Sequence, residues 1–191
     1  MTIQWFPGHM LETENLLIKE ISKIDAVLEI LDARLPLSSA NPFVDKLCQH
    51  KLRLKVLNKS DLADPEVTPL WLDYFKEKQI PAVPTCGTEP SHVFCALNDC
   101  VDKTERNKAR KLKIMILGIP NTGKSTILNT LSGKKTAKTG NTPAITKQQQ
   151  RTGLPNHIDI YDTPGILSPV IEPKKKSLSP GCQRCNLRHC F

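Results

Sequence analysis

The chain has 191 residues, enough for one domain with a substantial hydrophobic core. Charged residues make up 24% of it, and no apolar run approaches membrane-spanning length, so no membrane partner is expected. A net charge of +8 favours an anionic partner, while 5% aromatic residues leave no stacking platform for single-stranded nucleic acid.

Taken in chain order, residues 10–21 predict a helix with Leu16, Leu17 and Ile21 on one apolar face. Residues 26–31 predict a strand that runs into Asp32. A second strand over 52–57 delivers Asn58 to its carboxyl end, the edge at which open α/β sheets bind ligands. There Asn58-Lys59-Ser60-Asp61 has the N-K-x-D form of a guanine reader. The Asp61 carboxylate can accept two hydrogen bonds from the N1–H and N2 amino groups of guanine, and adenine offers no matching pair. Lys59 is expected to lay its stem along the base, and Asn58 to tie this loop to a phosphate site. The N-x-x-D pattern is also a common turn and helix cap, so it needs a companion motif.

A helix over 69–78, a short strand over 81–83 and a helix over 91–101 follow. Residues 104–113 carry Arg106, Lys108, Arg110, Lys111 and Lys113 and read as a basic linker. A mostly apolar strand over 111–117 then leads into Gly118-Ile119-Pro120-Asn121-Thr122-Gly123-Lys124-Ser125, which matches the phosphate-binding P-loop G-x-x-x-x-G-K-S/T. A helix over 126–131 closes the unit, with Gly133 as a stop signal. Glycines let backbone N–H groups close around phosphate oxygens at the positive end of the helix. Asn121, Thr122, Gly123, Lys124, Ser125 and Thr126 are therefore the expected nucleotide-binding residues. Lys124 would reach the β- and γ-phosphates, and the Ser125 hydroxyl would ligate Mg²⁺.

Downstream, a strand ends in Asp162-Thr163-Pro164-Gly165, of form D-x-x-G. Asp162 stands where a carboxylate holds Mg²⁺, usually through water, and the Gly165 N–H can sense the γ-phosphate. Between the two motifs, Gly140-Asn141-Thr142-Pro143-Ala144-Ile145-Thr146 would by itself read as a solvent loop. In this position it is a switch I candidate with two threonines for the metal. Strands alternating with helices predict a parallel, doubly wound α/β sheet of P-loop GTPase type. In ordinary GTPases the base reader follows the P-loop. Here it comes first, which predicts a circularly permuted GTPase.

Trp5-Phe-Pro-Gly-His9-Met10, Asp32-Ala-Arg-Leu-Pro36, Asn58-Lys-Ser-Asp61, the P-loop, residues 140–146 and Asp162-Thr-Pro-Gly165 together resemble, in order, the ribosome biogenesis GTPase A family. The resemblance covers residues 1 to about 171. It implies GTP and GDP as substrate and product, Mg²⁺, and a partner in the large ribosomal subunit and its RNA rather than DNA, for a monomeric, cytoplasmic, bacterial-type protein; a processed organellar relative stays open. It implies Thr146 as the switch I threonine, with Thr142 as runner-up, and places the loop ending the guanine pocket in Pro84-Thr-Cys-Gly-Thr88. Ile166 stands where many GTPases carry a water-orienting Gln, and an alkyl chain cannot orient water. The family's proposed substitute is His9, whose alternative is a surface or capping histidine. Asn121 resembles the asparagine of potassium-stimulated relatives, its alternative being a plain turn residue.

The resemblance stops near Glu172. Residues 1–172 are expected to form the permuted domain, without the family's switch II helix and C-terminal RNA-binding domain. Residues 173–191 are expected to be a disordered basic tail, the product of a frameshift or truncated reading frame. Cys182, Cys185, His189 and Cys190 in that tail offer zinc-ligand spacing but no second ordered pair. The remaining cysteines show no framework spacing and should stay reduced. Two other readings remain: a non-catalytic nucleotide-binding fragment, and an ATP-dependent kinase or ATPase, which Asp61 disfavours.

Overall fold

The computed structural model describes residues 3–4, 8–104, 110–133, 150–163, 165 and 170–171, with side chains from residue 15 onward except at 150, 170 and 171. In chain order the elements are β1 (Ile3–Gln4), α1 (Gly8–Ile21), β2 (Ala26–Asp32), α2 (Pro36–Ser39), α3 (Pro42–Leu47), β3 (Leu52–Asn58), a 3₁₀ turn (Ser60–Leu62), α4 (Val67–Glu77), β4 (Ala82–Thr85), α5 (Pro90–Lys103), β5 (Leu112–Leu117), α6 (Lys124–Ser132), β6 (Gln150–Leu154), β7 (Ile158–Asp162) and β8 (Val170–Ile171).

Six strands form one sheet in the order β4-β3-β2-β5-β7-β6. Every neighbour pair is parallel except β6 with β7. The central strands are mostly apolar on both faces, as suits strands covered by helices on each side. Side-chain alternation along β2 divides the core. Ala26, Leu28 and Ile30 pack with Val93, Leu97, Ile127 and Leu128 of α5 and α6. Val27 instead joins Leu17 of α1 and Val44 of α3 on the opposite face, and Leu31 meets Phe75 of α4. This is the doubly wound sheet expected.

The antiparallel edge departs from an all-parallel expectation. Its cause is local: Asn156 and His157, between β6 and β7, both adopt left-handed φ, of 61° and 57°. Two successive left-handed residues reverse the chain tightly, whereas a parallel neighbour needs a long crossover. Helix α6 begins at Lys124, two residues before the predicted start, because Gly123 at φ 93° supplies the cap. Part of the expected basic linker, Leu112 and Lys113, lies in β5. Residues 105–109 fall outside the described residues, as do Thr142, Thr146 and the tail cysteines.

The permutation is visible in the path. From edge strand β4 the chain runs through α5 and re-enters at the centre as β5, between β2 and β7. The join is pinned at the amino end of the sheet. The Asp25 carboxylate accepts from Arg110 Nη2 at 2.5 Å and from the Lys113 N–H at 2.9 Å, and the Asp25 N–H donates to the Lys113 carbonyl. Because the central strands are parallel, their carboxyl ends share the opposite edge. Asp32, Asn58 and Thr85 lie in register across β2, β3 and β4, and Asp162 of β7 lies opposite Ile116 of β5.

Candidate nucleotide-binding site

That carboxyl edge gathers the two motifs that the sequence keeps apart. Asn58 ends β3 fully buried, and its Nδ2 donates to the Thr122 carbonyl at 2.7 Å. The adjacent Lys59 has left-handed backbone, φ 62°, which turns its side chain back along the edge. Its ammonium donates to the Asn121 carbonyl at 2.7 Å and to Asp32 Oδ2 at 3.0 Å. Two consecutive residues of the base loop thus clasp two consecutive carbonyls of the P-loop. Asp61 stands in the 3₁₀ turn that follows, exposed at the surface.

The P-loop has the geometry of an anion cradle. Asn121 and Gly123 take left-handed φ of 64° and 93°, and Thr122 between them buries its side chain and donates Oγ1 to the Ile119 carbonyl at 3.0 Å. A side chain at position 123 would collide with the Asn58 amide, so the glycine is required by space as well as by φ. Lys124 opens α6 almost completely buried, and its ammonium donates to the Gly118 and Ile119 carbonyls at 3.1 and 2.8 Å. Burial pushes its pKa down to about 8, and the nearby Asp162 carboxylate opposes that shift. Ser125 and Thr126 occupy the first turn of the same helix, where N–H groups have no intrahelical partner.

Asp162 is fully buried at the end of β7, and the Thr163 hydroxyl next to it donates to the Ile116 carbonyl at 2.8 Å. Gly165 then folds against the P-loop: a Cβ there would meet the Pro120 nitrogen and Cγ at 2.9 Å. The predicted base loop after β4 joins the cluster too. Gly87 packs beside Asn58, and its carbonyl accepts from Thr130 Oγ1 of α6 at 2.6 Å. Among the described residues no group of three or more His, Cys, Asp or Glu could hold a metal by itself. The donor set Ser125 hydroxyl plus Asp162 carboxylate is oxygen-only, which suits Mg²⁺ completing its shell with phosphate and water.

A family model described as a 50S ribosome-binding GTPase matches residues 113–188. Ribosome biogenesis GTPase A of Priestia megaterium (strain DSM 319 / IMG 1521) is 43% identical over 182 residues, covering 90% of this chain and 63% of that protein. This chain is a homologue of ribosome biogenesis GTPase A proteins. A crystal structure of GNP-bound YlqF from T. maritima superposes with a TM-score of 0.62 at 30% identity, covering 82% of this chain and 58% of that one. GDP-bound T. maritima YlqF gives 0.59 at 32% identity, over 78% and 57%. The chain thus spans about three-fifths of the length of these relatives.

Of the residues expected at the site, Asn58, Lys59, Asn121, Thr122, Gly123, Lys124, Ser125, Thr126, Asp162 and Gly165 lie on or against this edge, with Asp61 in the turn beside it. His9 is described in backbone only, in the first turn of α1. Lys59 has a partner that motif reading did not supply: Asp32, whose own partner is Arg34. The signal available was positional, since Asp32 ends a predicted strand as Asn58 ends the next.

Proposed function

We propose that the chain binds GTP and GDP at this edge and hydrolyses GTP, and that it assists assembly of the large ribosomal subunit. The observation that carries the reading is the double clasp of Asn58 and Lys59 on the P-loop, which joins a guanine reader to a phosphate cradle within one site. The phosphates would displace the Gly118 and Ile119 carbonyls from the Lys124 ammonium and take N–H groups of the first α6 turn. Mg²⁺, held by Ser125 and Asp162 with Thr146 or Thr142 of switch I, would neutralise phosphate charge. Most of the rate enhancement then comes from positioning and preorganised charge. The ribosomal partner rests on likeness to ribosome biogenesis GTPase A proteins and on the net charge of +8. A potassium ion beside Asn121 and a monomeric state belong to the same proposal.

His9 is proposed to orient the attacking water. Its support is topological: β1, which ends five residues before it, pairs antiparallel with β8, which begins five residues after Gly165. Equilibrium titration with GTP, GDP and ATP tests the reading. Guanine nucleotides should bind, ATP should not, and Asp61→Asn should weaken GTP by about 2–4 kcal/mol while favouring xanthine nucleotide. Equal affinity for ATP and GTP would remove the guanine reading. In turnover stimulated by large subunits, His9→Ala should lower the rate about 10²-fold and leave binding intact.

A further inference from the structure

The Asp32 carboxylate is among the most heavily bonded groups on the nucleotide edge. Oδ1 accepts from the Arg34 N–H at 3.1 Å and from Arg34 Nε at 2.9 Å, while Oδ2 accepts from Arg34 Nη2 at 2.7 Å and from Lys59 Nζ at 3.0 Å. Its backbone is fixed as well. The Asp32 N–H donates to Ser39 Oγ, the Leu35 N–H donates to the Asp32 carbonyl, and the Ala33 N–H donates to the Asn58 carbonyl. Burial pushes the carboxyl up, but the hydrogen bonds from Arg34 and Lys59 outweigh it and hold the group well below the usual carboxylate range. Asp32 is therefore an anion at every working pH, aimed by a planar guanidinium fork.

A built anion of this kind has one mobile partner. Arg34 is two residues away on the same turn, whereas Lys59 comes from the neighbouring strand and spends its other bond on the P-loop. A lysine ammonium is a point charge on a flexible stem, so a single acceptor does not fix its direction. Two acceptors, one on each loop, do. The two clasps on the P-loop differ accordingly. The Asn58 clasp is fully buried and shape-determined, and the Lys59 clasp is half-exposed and depends on Asp32.

We propose that Asp32 is a positioning residue of the nucleotide site: locked by Arg34, it holds the Lys59 ammonium on the Asn121 carbonyl and so keeps base loop and P-loop in one rigid unit. The inference rests on the nucleotide-binding reading above and extends it to a residue pair outside the N-K-x-D and P-loop motifs. Its effect falls on nucleotide release, because the clasp ties together the two loops that enclose the ligand, and not on base selection, which belongs to Asp61.

The test is the dissociation rate of a fluorescent GDP analogue from the full chain, chased with excess GDP. Asp32→Ala should speed release about tenfold, the ratio expected on losing one charge-assisted hydrogen bond. Lys59→Ala should speed it to a similar extent, and adding Asp32→Ala in that background should change nothing further. Asp32→Glu should recover part of the parent rate. Arg34→Ala, on a half-exposed side chain, repeats the test without disturbing the fold: it should speed release only where Lys59 is present. Equal factors for the Asp32 and Arg34 changes with and without Lys59, or parent-like release from Asp32→Ala, would overturn the proposal. Failure of the parent chain to bind the GDP analogue would instead overturn the nucleotide-binding reading beneath it.

Discussion

Gly123 and Gly133 bracket α6, both with left-handed backbone, yet they face different surroundings. A Cβ at 123 meets the Asn58 amide, whereas at 133 it meets nothing within 4 Å. Gly123→Ala should therefore add backbone strain and break a buried clasp together, weakening GDP binding by about 10²-fold in a fluorescence titration. Gly133→Ala should cost only about 1 kcal/mol of unfolding free energy and leave affinity unchanged. The P-loop was legible in the sequence because its spacing encodes a local backbone shape. The Asp32–Lys59 contact was not. Its partners lie 27 residues apart, on strands whose register only the folded sheet defines.

At the scale of elements, the sheet carries an ion pair in its interior. Lys55 of β3 donates to Glu29 of β2 at 2.7 Å, directly across the parallel register, with both side chains almost wholly buried. Lys55→Met leaves the buried Glu29 with only the more distant Arg53, at 3.5 Å, as a counter-charge, so it should cost up to about 3 kcal/mol by urea unfolding. Glu29→Met in the same chain should recover most of that loss. The described thiols give a second test. Burial pushes Cys48 up to about 11 and Cys100 up to about 12, while Cys95 is exposed. A thiol reagent at pH 8, followed by peptide mapping, should mark Cys95 first and reach the other two only through unfolding. The unfolded thiols ionise near pH 9, below their folded values, so the unfolded state holds fewer protons as pH rises beyond that point. Their contribution to stability is thus complete below about pH 9 and is lost by up to about 1.4 kcal/mol per pH unit for each thiol above it. The strands were readable from apolar runs. The β6–β7 hairpin was missed because its signal, left-handed Asn156 and His157, is a conformation and not a hydrophobic pattern.

For the molecule as a whole, the candidate nucleotide site draws on both permuted halves: residues 58–61 precede the join, and residues 118–126 follow it. The α5–α6 face of the core also draws side chains from both halves, so unfolding should be a single transition. GDP at a thousandfold excess over its dissociation constant should raise the unfolding free energy by about 4 kcal/mol, and ATP at the same concentration should leave it unmoved. Denaturation curves with each nucleotide check this. The permuted topology was legible from motif order alone, because motif order is a property of the chain itself.

The central position of β5 has a consequence for biosynthesis. During translation the base-reading strands β2, β3 and β4 leave the exit tunnel first, and β2 then presents an open edge whose neighbour has not yet been made. Elongation at about 5–20 residues per second leaves that edge waiting for several seconds. In that interval Asn58 and Lys59 have no P-loop carbonyls to grasp, while the ties of Lys51 to the Ile24 carbonyl and of Lys55 to Glu29, both at 2.7 Å, can already join the first two strands. A nascent GTPase of ordinary order builds its phosphate cradle first and adds selectivity afterwards. In this chain the Asn58-Lys59 loop is synthesised first, and the P-loop that it clasps is added only after β5 fills the gap beside β2.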